Sequence, residues 1–218
     1  MTRRDVLRAA VAAALVAACP ALVRAQDLLD DFITAVRNDR AAEVRRLLAR
    51  GVDPNSTDAA GDPVLLIAAR EGNLATVDAL LAARARVDVR NAYNDTPMLV
   101  AAIKGNVDLV RRLRAAGAPL DGPGWTPLIY AAAGGHLPLV QYLLEQHANV
   151  NAASPSGVTA LMMAVREHKV EVADVLLDHG ADPAARSAAG MTALDYADQG
   201  GETELAERMR AAQKARRR

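Results

Sequence analysis

The stretch Gly124-Trp125-Thr126-Pro127-Leu128-Ile129-Tyr130-Ala131-Ala132 carries the signals that decide the fold. Threonine followed by proline is typical of a helix start. The threonine side chain accepts a hydrogen bond from a backbone N–H of the first turn. Proline has no backbone N–H, but the N–H groups of the first turn have no partner within the helix, so proline fits there. The paired alanines leave room for a second helix to approach closely. Behind them come Gly135-His136 and a second apolar band over residues 140–144. The stretch therefore predicts a helix–turn–helix unit.

This unit recurs along the chain with a period of 33 residues, interrupted by one step of 30. Its apolar anchor positions are Phe32, Leu65, Met98, Leu128, Leu161 and Leu194. Seven positions after each anchor, four copies carry glycine, and Asp39 and His168 replace it in the other two. A period of this size indicates a repeat architecture, in which each unit buries its apolar face against neighbouring copies.

The composition favours close-packed helices and excludes several classes of protein. Of the 218 residues, 51% are apolar, which is too many for a disordered chain, but only 3% are aromatic. The 26 basic and 26 acidic residues balance, so no overall charge attracts the chain to nucleic acid. Cys19 is the only cysteine, which excludes a disulfide framework and a site of several thiolates. These features predict an all-α protein.

Taken together, the recurrent positions resemble the ankyrin repeat. Its pattern is Gly-x-Thr-Pro-Leu-His-x-Ala-Ala-x-x-Gly-His followed by Val-x-x-Leu-Leu-x-x-Gly-Ala-Asp. Residues 124–144 match it well, residues 94–102 keep the Thr-Pro pair, and residues 157–164 and 190–197 keep the threonine but carry alanine after it. The resemblance covers about residues 28–212 in six copies. It implies a curved solenoid of stacked helix–turn–helix units with short β-hairpin fingers, and a concave groove that binds another protein.

The first 25 residues are predicted to be an export signal. A basic head with Arg3-Arg4 precedes an Ala/Val/Leu run over residues 9–18. Val23 and Ala25 stand at the −3 and −1 positions of a predicted signal-peptidase site, so cleavage is expected between Ala25 and Gln26. Residues 2–8 also resemble the twin-arginine motif, Ser/Thr-Arg-Arg-x-Phe-Leu-Lys. The apolar run is too short to span a bilayer. We therefore expect a bacterial protein that reaches the periplasm.

Other readings of the N-terminus stay open. Ordinary Sec export and a retained cytoplasmic N-terminus both fit a basic head. Residues 16–19 loosely match a lipoprotein processing box, which would leave an acylated Cys19 in a membrane, although Pro20 and the better site at Ala25 argue against it. The predicted organisation is an export signal (1–25), a domain of six ankyrin repeats with atypical first and last copies (26–212) and a basic tail (213–218).

The resemblance also implies which side chains line the groove. Trp125 and Tyr93 occupy variable positions that face solvent, whereas Tyr130 and Tyr196 occupy a position that is usually buried. Tryptophan and tyrosine are common anchors of protein interfaces, so we expect both solvent-facing rings to contact a partner; in the alternative, Trp125 packs over the neighbouring hairpin. The predicted partner-binding residues are Arg70, Glu71, Tyr93, Asp95, Ile103, Lys104, Trp125, Val158, Arg166 and Met191.

The 30-residue step predicts a gap beside Trp125. Gly117 lies 11 residues before its anchor Leu128, whereas Gly51 lies 14 before Leu65, so three residues are missing from the hairpin that ends in Gly122-Pro123-Gly124. The shorter hairpin is expected to leave a notch in the row of fingers. Sequence drift without a functional consequence explains the shortening equally well.

The sequence offers little for catalysis. It contains no phosphate-binding glycine loop, His-Glu-x-x-His pair or Gly-x-Ser-x-Gly elbow. Each histidine has a structural explanation: His136 occupies the family's Gly-His position, His147 and His168 replace glycines, and His179 precedes one. We therefore expect a monomeric, non-catalytic binding protein without cofactor, metal or small-molecule substrate, whose partner is another protein, for example a co-exported enzyme that it protects, assembles or inhibits. A histidine-based metal protein or enzyme, and a lipoprotein scaffold anchored at Cys19, remain the alternatives.

Overall fold

The computed structural model describes residues 19–122 and 124–216, and within them the chain is all-α. These residues form twelve helices and no strand, and the hairpins between repeats contain only the isolated bridges Thr57–Pro63 and Ala153–Thr159. The helices are α1 (Cys19–Arg37), α2 (Ala41–Ala49), α3 (Val64–Glu71), α4 (Leu74–Ala82), α5 (Pro97–Ile103), α6 (Val107–Ala115), α7 (Pro127–Gly134), α8 (Leu137–Glu145), α9 (Ala160–Arg166), α10 (Val170–Asp178), α11 (Ala193–Gly200) and α12 (Thr203–Arg216).

Four of the predicted helix starts are confirmed in detail. Each is capped by the threonine of the repeat motif, whose Oγ1 accepts the backbone N–H three residues later at 3.1–3.3 Å. The capping residues are Thr96, Thr126, Thr159 and Thr192. Pro97 and Pro127 stand in the first turn, where no backbone donor is needed. The motif therefore sets where the first helix of a repeat begins.

The first helix starts earlier than the repeat pattern predicts. The pattern begins near Leu28, but α1 begins at Cys19 and runs for 19 residues. Pro20 is its second residue, a position where proline is compatible with a helix. The predicted cleavage site between Ala25 and Gln26 lies within α1. The basic head and the apolar run of the predicted signal, residues 1–18, lie outside the described residues, as does Pro123.

The chain divides into two compact units, Met1–Arg86 and Val87–Arg218. In the described part of the first unit, α1 packs on α2 and α3, and α4 packs on α2 and α3. Phe32, Val36, Leu65 and Leu80 are fully or almost fully buried there. Asn73 Nδ2 donates to Val36 O at 2.8 Å, which joins the second repeat to the first.

The second unit contains the four remaining repeats. Its first helices α5, α7, α9 and α11 pack in sequence order, and its second helices α6, α8, α10 and α12 do the same. Leu128, Leu143 and Leu161 are almost completely buried between them. Burial of each repeat against its neighbours is the arrangement that the 33-residue period predicts.

Several turns use the left-handed backbone region without glycine. His147 has φ = 64° and His168 has φ = 56°, at the two positions where the sequence suggests that histidine replaces glycine. Asp39 occupies the same position in the first repeat as His168 does in the fifth, and it has φ = 51°. These substitutions are structural, as predicted.

Two predictions of burial are wrong. The repeat pattern places Tyr130 and Tyr196 at positions that are usually buried, but both side chains are half-buried. Both lie on first helices of the second unit, where only part of the ring is covered. Among the described helices, none is long and apolar enough to cross a membrane.

Candidate functional site

An open groove on the second unit brings together three of the six aromatic residues of the chain. We call it the aromatic groove. Its lining residues are Arg90, Tyr93, Asn94, Asp95, Leu99, Gly124, Trp125, Tyr130 and Pro155. They come from the hairpin before α5, the connection before α7, the helices α5 and α7, and the hairpin before α9. Tyr93, Asp95 and Trp125 of the predicted partner-binding set meet here.

Asn91 holds the hairpin that presents Tyr93. Its Oδ1 accepts the backbone N–H groups of Tyr93 and Asp95, both at 2.9 Å, and its Nδ2 donates to Asp95 Oδ2 at 3.2 Å. Asn94 completes the turn with φ = 64°, a conformation that asparagine tolerates better than most residues. Asn91 is itself buried, so its hydrogen bonds to the turn are formed on the side that faces the protein interior. The Tyr93 side chain is left 85% exposed at the tip.

Trp125 lies beside Tyr130 of the same repeat. The two ring centroids are 5.4 Å apart with an interplanar angle of 32°, within the range of favourable aromatic pairs. Trp125 stays 36% exposed, so one part of the indole packs and another part faces the groove. The sequence left open whether this ring faces a partner or packs within the molecule; the structure shows it partly packed and partly available.

Asp95 places a negative charge near these rings. The pKa of the Tyr130 hydroxyl is raised, first by burial and then by the charge of Asp95. Tyr130 is therefore a neutral phenol at physiological pH and its hydroxyl can donate a hydrogen bond. Arg90 contributes the opposite charge, and its Nη1 donates to Asn94 O at 3.4 Å.

A second depression lies at the shortened connection and shares Arg90, Leu99 and Trp125 with the aromatic groove. Residues 118–122 line it together with Val87, Met98 and Trp125. Leu120 points inward and is only 6% exposed. The depression borders Trp125, beside which the sequence predicts a notch; whether the three missing residues produce it stays a prediction.

The other predicted partner-binding residues do not line the aromatic groove. Ile103 is 48% exposed and Lys104 is exposed at the end of α5, whereas Val158 and Met191 are half-buried in later hairpins. Arg166 forms an ion pair with the adjacent Glu167 at 2.9 Å. In the first unit, Arg70 Nη1 lies 2.6 Å from Asp62 Oδ2, and Glu71 is exposed.

Sequence reasoning missed five side chains of the groove: Arg90, Asn94, Leu99, Tyr130 and Pro155. A usable signal existed for Tyr130. Trp125 immediately precedes the N-cap Thr126, and Tyr130 is the fourth residue of α7. An apolar pair at these two positions often packs together as a hydrophobic staple.

Two of the four histidines contact a neighbouring repeat. His136 Nε2 lies 3.0 Å from Ile103 O, one repeat earlier, and its ring fills the space where side chains at Gly105 and Gly134 would otherwise point. His168 Nδ1 lies 2.6 Å from Glu202 Oε1 in the last repeat. Across the described residues, no group of three or more His, Cys, Asp or Glu side chains could hold a metal ion.

Comparison with known proteins gives a consistent picture. A family model described as ankyrin repeats (3 copies) matches residues 32–121 and 116–187. A segment of 54 residues is 48% identical to the ankyrin repeat and SAM domain-containing protein 6 of Mus musculus, and equally to that of Rattus norvegicus. The segment covers 24% of this chain and only 6% of those relatives.

Solved structures match over most of the chain. The crystal structure of an ankyrin repeat domain from Acinetobacter baumannii superposes with a TM-score of 0.78 at 28% identity, covering 83% of this chain and 96% of that one. A second crystal structure, also of an ankyrin repeat protein, gives a TM-score of 0.75 at 26% identity, with coverage of 82% and 96%. The chain belongs to the ankyrin repeat family and is an all-α repeat solenoid. Its repeats make it a protein–protein interaction module, on a fold that is typically non-catalytic.

Proposed function

We propose that this protein is exported to the bacterial periplasm, where it binds a protein partner, such as a co-exported enzyme, through the aromatic groove. The observation that carries the binding proposal is the joint exposure of Tyr93 at 85% and Trp125 at 36% along one groove. Tryptophan and tyrosine are enriched among the anchor residues of protein interfaces, and two such rings along one groove form a suitable contact surface. Twin-arginine export carries folded cargo, which makes a folded co-exported enzyme a suitable partner.

Binding is tested by capture from a periplasmic extract of the source bacterium, followed by affinity measurement with the purified partner. The Tyr93→Ala, Trp125→Ala double variant is expected to lose at least about tenfold in affinity, because interface tryptophan and tyrosine carry most of the binding energy. Tyr93→Ala alone separates binding from folding, since a side chain this exposed contributes little to stability.

The matched control is Val170→Ala. Val170 is another exposed apolar side chain, 43% exposed at the start of α10 and outside the aromatic groove. It is expected to bind the partner as the wild type does. Unchanged affinity in the double variant would contradict the proposed binding surface.

Export is supported by the sequence of residues 1–26 and has its own test. Replacing Arg3 and Arg4 together by lysine is expected to abolish twin-arginine export and retain the protein in the cytoplasm, while Arg8→Lys is not. Mass spectrometry of the exported protein is expected to show Gln26 at the N-terminus. An acylated Cys19 would instead establish a membrane-anchored lipoprotein, and equal export of the lysine variant would establish the Sec route.

A further inference from the structure

The aromatic groove combines two features that together select a cation. Three aromatic rings line it, and the face of an aromatic ring carries a negative electrostatic potential. Asp95 adds a carboxylate on the same lining. Neither feature alone defines a ligand, but a positively charged group in the groove would be attracted by both.

We propose that the aromatic groove receives an arginine side chain of the protein partner. This inference rests on the proposed binding function and specifies the chemistry of the partner at one point. The guanidinium stacks on Trp125 or Tyr93 and donates to the Asp95 carboxylate, while the methylene stem lies along the apolar lining.

The chemistry of the groove lining favours arginine over lysine. A guanidinium is planar, is weakly hydrated and can stack on an aromatic face while its N–H groups bind a carboxylate. An ammonium is compact and strongly hydrated, and it gains less in a groove that stays open to water. Leu99 and Pro155 supply apolar surface at the lining for the three methylene groups.

Asp95 is positioned for this contact by its own hairpin. Its Oδ2 accepts one hydrogen bond from Asn91 Nδ2 at 3.2 Å, and its backbone N–H is bound to Asn91 Oδ1. The carboxylate therefore has a defined orientation before the partner arrives, which reduces the ordering cost of binding. A carboxylate has about four acceptor sites, so a second donor can be accommodated.

Arg90 is the one cation on the lining of this groove among the described residues. Its guanidinium contacts Asn94 O at the hairpin end, at 3.4 Å. Because like charges repel, Arg90 weakens the binding of a second guanidinium. The inference therefore makes an unusual prediction: removing the charge of Arg90 strengthens binding.

The test uses N-acetyl-arginine amide as the probe and the fluorescence of Trp125 as the readout. Trp125 is the only tryptophan of the chain, so excitation that tyrosine does not absorb reports on its surroundings, the aromatic groove and the adjoining depression. We expect a saturable change with a dissociation constant on the order of millimolar, as suits a single side chain. The citrulline amide, which has the same shape without the charge, is expected to bind about fivefold more weakly, and the lysine amide also more weakly.

Charge variants make the test specific. Asp95→Asn is expected to weaken arginine binding about threefold at low salt, and Arg90→Gln to strengthen it about twofold. Glu145→Gln is the matched control, because Glu145 is an exposed carboxylate of the second unit that lines neither the aromatic groove nor the depression beside Trp125; it is expected to change nothing. Equal responses to the arginine and citrulline amides, equal responses to the arginine and lysine amides, or an unaltered response in Asp95→Asn would each overturn the inference.

The partner-capture assay separates the two proposals. If Asp95→Asn leaves partner affinity unchanged while Tyr93→Ala, Trp125→Ala abolishes it, the arginine inference is wrong and the proposed function stands. If neither variant alters partner affinity, both are wrong.

Discussion

Single residues account for much of the difference between this protein and the general ankyrin repeat pattern. The turn positions of ankyrin repeats favour glycine, but His147 and His168 adopt φ values of 64° and 56°. A residue with a Cβ atom loses roughly 1–2 kcal/mol in this left-handed region. His168 recovers part of that loss through its contact with Glu202 Oε1 at 2.6 Å, whereas the side chain of His147 is exposed.

His147→Gly is therefore expected to raise the free energy of unfolding by about 0.5–1 kcal/mol, because glycine adopts this backbone conformation without strain. Urea denaturation followed by circular dichroism measures the change. His168→Gly is the comparison variant and is expected to gain less, since it loses the link to Glu202. Destabilisation by His147→Gly would show that this turn is not strained.

The residue scale also shows where the repeat pattern stops being informative. The roles of His136, His147 and His168 follow from the positions they occupy in the motif, since those positions fix backbone geometry. The position of Tyr130 is usually buried in the family, but here the neighbouring side chain at Trp125 is large, and the two rings share the available surface. A pattern of positions records the average environment and not the particular pair of side chains that meet there.

At the scale of the helix, capping explains how a short element stays folded. Helix α11 has eight residues and begins with a complete capping box: Asp195 N donates to Thr192 Oγ1, while the backbone N–H of Thr192 donates to Asp195 Oδ2 at 2.8 Å. The backbone and side-chain hydrogen bonds from Thr192 lower the pKa of the Asp195 carboxyl below its ordinary value of 3.8. The acid form of Asp195 is thus disfavoured in the folded protein.

Asp195→Asn is expected to lower the free energy of unfolding by about 1 kcal/mol at neutral pH, the usual contribution of a helix cap. Because the folded pKa is lowered, the contribution of Asp195 is complete above pH 3.8 and disappears as the pH falls through the folded value. The difference between wild type and variant should therefore shrink in acid. Denaturation curves at neutral pH and near pH 3 measure it, and a difference independent of pH would contradict this account.

Helix positions are more predictable than helix lengths. Thr-Pro and Thr-Ala pairs mark the starts of α5, α7, α9 and α11 correctly, since the capping interaction is local. The start of α1 at Cys19 could not be read from the repeat period, because the helix continues upstream of the first copy through residues that no second repeat constrains.

At the scale of the whole molecule, stability comes from neighbouring repeats. The second unit, Val87–Arg218, contains four copies, and its helices pack on those of adjacent repeats. The first unit contains two copies. Arrays of this kind need about three repeats to bury enough apolar surface for independent folding.

A fragment of residues 87–218 is accordingly expected to fold by itself and unfold cooperatively, whereas a fragment of residues 26–86 is expected to lose most of its helix content. Far-ultraviolet circular dichroism with thermal melting distinguishes the two, with the full chain as the reference. Cooperative unfolding of residues 26–86 at the temperature of the full chain would show that two copies suffice.

The fold class could be predicted from the repeat period, because every copy shows the same pattern of apolar and turn residues. The aromatic groove could be predicted only in part: Tyr93, Asp95 and Trp125 follow from their positions, but Arg90, Leu99 and Pro155 come from three different elements. Their meeting depends on the packing of consecutive repeats, which no single motif encodes.

The shortened connection before α7 has a consequence for how such proteins diversify. Lengthening a loop by a few residues changes its closure entropy by only a few tenths of a kcal/mol, so gain or loss of three residues hardly affects folding. The shortened connection lines the depression beside Trp125, so we expect the same change to alter the shape of that depression. We therefore expect insertions and deletions between repeats to alter which partner is accepted, while the helices and their caps stay unchanged.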